Sequence, residues 1–92
     1  MTSKELFLSN EVKDDSLVNC TYGRINNNII YEIGESKEYI WREKTFRVTI
    51  LNKNNDKYEL DFENTKTFSG FGTFENKNMA YEYVRELKRK LW

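Results

Sequence analysis

The sequence predicts an α+β fold: an antiparallel sheet of five or six strands with one C-terminal amphipathic helix packed on one face. Three observations carry this. Phe46, Val48 and Ile50 alternate with Arg47 and Thr49, and Tyr58, Leu60 and Phe62 alternate with Lys57, Glu59 and Asp61. A glycine-spaced aromatic run, Phe68-Ser69-Gly70-Phe71-Gly72-Thr73-Phe74, follows. Beyond it, over residues 76–91, the apolar period lengthens from two residues to about 3.6.

Ninety-two residues make a single domain, too short for two independent cores. Within it the expected parts are an N-terminal arm or short helix over residues 1–15, a sheet over 16–74 and a helix over 76–91. Thr2 and Glu5 stand at capping-box spacing. Leu17–Ile25 and Ile29–Ile33 read as strands joined by three asparagines, which suit a tight hairpin. Residues 34–37 read as a turn and 38–42 as a further short strand. A five-residue loop, 52–56, is expected to pair Ile50 with Tyr58, Val48 with Leu60 and Phe46 with Phe62, setting Arg47 across from Asp61. Phe68 and Phe74 then face the core, with Gly70 and Gly72 leaving room for the helix. In the helix, Ala80, Tyr83, Val84, Leu87 and Leu91 form the apolar stripe, with Asn76 as N-cap.

The absence of histidine removes the commonest general base and the commonest transition-metal ligand. Cys20, the only cysteine, can form no internal disulfide and reads as a small core residue. Glu59, Asp61 and Glu63 share one strand face, where solvation accounts for them better than catalysis does. Asn52, Asn54, Asp56 and Glu63 echo the spacing of a calcium loop, but Lys57 stands where that loop needs glycine. No catalytic residue, cofactor or metal site is therefore expected, and the chain reads as a non-enzymatic protein. No run approaches membrane-spanning length, and the first residues lack the apolar core of an export signal. The expectation is a cytoplasmic location and no membrane partner. The bias to Asn, Lys, Ile, Tyr and Phe matches AT-rich coding DNA, and so a low-GC bacterium or its phages and mobile elements.

Lysine plus arginine equals aspartate plus glutamate, at 15 each. A neutral total argues against an obligate nucleic-acid binder. The charge is uneven, though: residues 1–46 hold six basic and eight acidic side chains, residues 47–92 nine and seven. Candidate partner-binding residues are Trp41, Arg42, Arg47, Phe71, Tyr81, Arg85, Lys88 and Arg89, because aromatics with arginine make interface hot spots. Whether Trp41 and Phe71 are core or surface the sequence leaves open. The leading expectation is a protein-binding module, an inhibitor or adaptor of a larger protein. The alternative is nucleic-acid binding through the sheet face and the basic helix end. A proline-free edge strand also leaves self-association open.

The stretch from Phe68 to Val84, with Gly72-Thr73-Phe74 closing a strand before a helix bearing Ala80 and Tyr83, resembles AP2-type and integrase arm-binding domains. The resemblance covers about half of the chain and implies a three-stranded sheet whose open face enters the major groove of DNA. It departs at Glu59 and Asp61, acidic where that face meets phosphates, and no family is assigned on it.

Overall fold

The computed structural model describes residues 2–8 and 16–91. Short-period alternation builds a single antiparallel sheet of five strands: β1 (Leu17–Asn26), β2 (Ile29–Ser36), β3 (Phe46–Asn54), β4 (Lys57–Leu60) and β5 (Lys66–Phe68). A short helix, α1 (Ser3–Leu8), precedes the sheet and a long one, α2 (Thr73–Leu91), follows it. The strand order is β1-β2-β3-β4, with β5 also pairing β3. β4 lies along Leu51–Asn54 and β5 along Phe46–Val48, so together they form one interrupted edge strand.

The α2 side holds the larger core. Ile25, Ile33, Phe46, Val48 and Ile50 from the sheet meet Ala80, Val84 and Leu87 from the helix, all buried. These residues recur at helical and strand periods, so burying them expels one continuous apolar surface from water. The opposite face carries a smaller cluster of Phe7, Ile30 and Leu51, flanked by Leu6, Tyr22, Tyr58 and Leu60. Phe7 stands with its ring 5.4 Å from that of Tyr22. α1 can form because the capping box closes: Glu5 N–H donates to Thr2 Oγ1 at 3.1 Å, and Thr2 N–H to Glu5 Oε1 at 3.3 Å. Those bonds from Thr2 hold the Glu5 carboxyl below its ordinary pKa. The expected arm or helix is therefore a helix up to Leu8, while residues 9–15 lie outside the described residues.

Several expectations need correction. The β3–β4 loop has two residues, not five. Asn55 and Asp56 both take left-handed backbone angles, φ 54° and 70°, which match the twist of a two-residue hairpin. The register pairs Leu51 with Leu60 and Lys53 with Tyr58. Tyr58 and Leu60 thus join the α1 side, and Arg47 lies across from Gly34 and Thr67 rather than Asp61. β2 runs on through Ser36, where a turn was expected, and residues 38–42 form no strand. α2 begins at Thr73, so Phe74 is 70% exposed in its first turn instead of facing the core. Phe62 is 81% exposed where β4 ends.

The break between β4 and β5 is a built feature. Asp61 N–H donates to Ile50 C=O at 2.8 Å, and Ile50 N–H donates to Thr65 Oγ1 at 3.0 Å, so the ladder of β3 stays satisfied across the gap. Asn64 N–H and Nδ2 and Asn52 Nδ2 all donate to the Asp61 carboxylate. Burial alone would raise the Asp61 pKa, but these hydrogen bonds outweigh it and lower the pKa. On the other rim, β1 slips register between Val18 and Thr21 and again between Arg24 and Asn26, with Asn19 at φ 52°.

Candidate functional site: an aromatic end

Hydrogen bonds tie the start of α2 to one set of strand connections and its finish to another, which gives the molecule two ends. At one end the loop over 37–45 meets the segment over 69–73 that enters α2. At the other, the β1–β2 and β3–β4 turns lie beside the α2 C-terminus, where Asn26 Nδ2 donates to Leu91 C=O at 2.6 Å.

The loop over 37–45 narrows to a miniature hairpin. Ile40 N–H donates to Glu43 C=O at 2.7 Å and Glu43 N–H to Ile40 C=O at 3.1 Å. Its two tip residues, Trp41 and Arg42, hold φ of 55° and 67°. Left-handed backbone is uncommon for side chains of this size and costs free energy. Trp41 is nonetheless 93% exposed, so no packing of its own ring holds the turn.

Backbone-directed hydrogen bonds hold it instead. Ser36 N–H donates to Thr45 C=O at 2.9 Å, and Lys44 Nζ donates to Ser36 C=O at 2.8 Å while lying over the Tyr39 ring. The Glu43 carboxylate reaches the second segment, accepting N–H from Gly70 and, at 2.6 Å, from Gly72. A negative charge at the start of α2 also suits the helix dipole. Lys44 N–H donates to Thr73 Oγ1 at 2.9 Å. Asn76, expected as N-cap, is in fact fully buried inside the first turns of α2. Its Nδ2 donates to Lys44 C=O at 3.0 Å and its Oδ1 accepts Phe71 N–H at 3.3 Å, joining the two segments from within.

Gly70 and Gly72 serve this join, not the approach of the helix to the sheet. Their φ values of 89° and 102° turn both N–H groups toward Glu43. Phe71 between them is left 64% exposed, and Phe74 beyond is exposed as well. Tyr39 and Ile40 complete an exposed apolar group drawn from two tethered segments.

The eight candidate residues divide accordingly. Trp41 and Arg42 lie on one of the two segments tied at this end, and Phe71 on the other. Arg47 is half-buried on the α1 side of β3, not displayed. Tyr81 packs on the main core with its hydroxyl 3.3 Å from Thr21 Oγ1, so it does not stand free on the polar side of α2. Arg85 pairs with Glu82, Lys88 lies 5.5 Å over the Tyr31 ring, and Arg89 is exposed. Glu43 was missed, and Asn76 was read as an N-cap rather than as the buried link between the two segments. The local sign was slight: two closely spaced glycines followed by an asparagine one helical turn later.

Glu59, Asp61 and Glu63 do not form a shared strand face, because the strand stops at Leu60. Among the described residues no group of three or more Cys, Asp and Glu side chains converges as a metal site. Cys20 is half-buried, and burial, with the nearby Glu32, pushes its thiol pKa up, away from nucleophilic use. Among the described residues no helix is long and apolar enough to cross a membrane.

Comparison with protein-family models, curated proteins and solved structures returned no match. The functional reading rests on the geometry alone.

Proposed function

We propose that the protein is a non-enzymatic protein-binding module that seats its aromatic end in a cleft of a larger protein, as an inhibitor or adaptor. The observation that carries the reading is Trp41, almost wholly exposed on a turn whose two central residues both hold left-handed backbone. Strain of this kind is kept where it serves a purpose. Exposed aromatics beside an arginine have hot-spot composition, and large apolar side chains left exposed on two tethered segments of a small domain suit an interaction surface. The ties through Glu43, Lys44 and Asn76 fix the presenting loop before binding, which lowers the ordering cost on association.

The test compares wild-type protein with Trp41→Ala and Phe71→Ser in affinity capture, followed by titration against the captured partner. Trp41→Ala should weaken that partner by about thirtyfold or more, the loss of a hot spot of about 2 kcal/mol. A partner bound equally by wild type and both variants would refute the reading. So would a concentration-dependent dimer that Trp41→Ala dissolves, since the surface would then serve self-association.

Nucleic-acid binding through the sheet has less support. α2 covers one face, and the other carries α1. The basic helix end is partly committed, with Arg85 on Glu82 and Lys88 on Tyr31.

A further inference from the structure

At the end of the molecule away from Trp41, a groove of about 370 Å³ lies on the α1 side, lined by Leu6, Arg24, Asn27, Lys53, Asp56 and Tyr58. We infer that it binds a phosphate carried on a planar ring, the chemistry of a nucleotide, free or at the end of a strand.

The sheet places the two cations. Arg24 is on β1 and Lys53 on β3, separated by β2, so their backbones stand roughly 10 Å apart. Both side chains are long enough to meet over a single anion held between them. Neither has an ion-pair partner among the described residues, and both are exposed. A guanidinium and an ammonium at one groove, with no ion-pair partner among the described residues, are a pair of donors suited to a shared anionic acceptor.

The surroundings refine the ligand class. Lys57, Lys88, Arg89 and Lys90 belong to the same end of the molecule and add to a positive field there. Leu6 and Tyr58 supply an apolar wall, and an aromatic ring there offers a stacking face. Asn27 and Asp56, on the two hairpin turns, supply a donor and an acceptor suited to ring nitrogens or sugar hydroxyls. Asp56 leaves the lining with two positive charges against one negative, enough for a phosphate and unfavourable to a polyanion lying along the groove.

The test is a heteronuclear NMR titration with adenosine monophosphate, with adenosine and inorganic phosphate as controls. A 5′-phosphorylated trinucleotide serves as the second source of the same chemistry. Expected are amide shifts at Arg24, Asn27 and Lys53, and affinity about tenfold weaker in Arg24→Gln and in Lys53→Gln. The melting temperature should not change in either variant, because both residues are exposed. Tighter binding of the mononucleotide identifies a free ligand, and tighter binding of the trinucleotide identifies a strand end. Absence of shifts at millimolar nucleotide overturns the inference. So does equal binding of adenosine or of bare phosphate, or affinity unchanged in both variants.

Discussion

The two ends of α2 solve the same structural problem with different chemistry. At its start, loop segments that are far apart in sequence are joined by a buried amide and a carboxylate, and the joined surface is aromatic. At its finish, two tight turns of asparagine and aspartate lie side by side, with Lys53 N–H donating to Asn28 C=O at 2.7 Å, and the surface is cationic. The difference teaches that the aromatic end is ordered by several long-range bonds, whereas at the cationic end each turn is closed locally and single long-range bonds join the turns to each other and to α2. Tertiary joins are lost all at once, while local turns survive the loss of a single contact.

Matched asparagine substitutions break or sharpen this contrast most directly. Asn76→Ala should cost about 1–3 kcal/mol in denaturant titration, because it empties a fully buried site and takes the partner from the part-buried Phe71 N–H and Lys44 C=O. Asn26→Ala removes bonds to Asn28 and Leu91 at an exposed site and should cost under about 1 kcal/mol. Equal losses would dissolve the distinction. Gly72→Ala comes next, at about 1–2 kcal/mol by the same measurement. Its φ of 102° suits only glycine, and an added Cβ would lie 2.7 Å from Glu75 Oε2.

Replacing Trp41-Arg42 with Asn-Gly should act in the opposite direction. That pair prefers the left-handed turn, so the melting temperature should rise, by the equivalent of about 1 kcal/mol, while partner binding is lost. A lowered melting temperature would mean that the turn is not strained.

Between the two ends, Asp61 gives a pH signature. Its pKa in the fold lies below the unfolded value of about 3.9, so its contribution is complete above roughly pH 5. It fades as pH falls through the lowered folded-state value. Asp61→Asn should therefore flatten the acid limb of a stability profile and leave the neutral region less changed. The smallest effect belongs to Lys88→Ala, whose exposed ammonium over Tyr31 should be worth under about 1 kcal/mol in thermal melting.

The fold was legible where burial follows a period. Phe46, Val48 and Ile50 announced β3, and Ala80, Val84 and Leu87 announced the helix they meet. The second apolar face was not legible, because Leu6, Phe7, Tyr58 and Leu60 make a patch too small to impose a pattern. Pairing Leu60 with Val48 followed from assuming one buried face, and the left-handed Asn55-Asp56 turn places Leu60 on the other. At the aromatic end, composition singled out Trp41, Arg42 and Phe71. Glu43, and the linking role of Asn76 beyond the N-cap expected of it, escaped because their partners are backbone groups up to 32 residues away, and backbone groups have no sequence signature.

A chain of this size without proline would be a natural template for fibril growth, which requires a straight row of open amides along an outer strand. Among the described residues neither rim supplies one. The kinks at Asn19 and Ile25 and the gap over 61–65 leave only short, misaligned stretches for an incoming strand to copy. Straightening the gap, by deleting the turn that expels Phe62, would expose a continuous ten-odd-residue rail, and gelling or precipitation at high concentration is the outcome to look for.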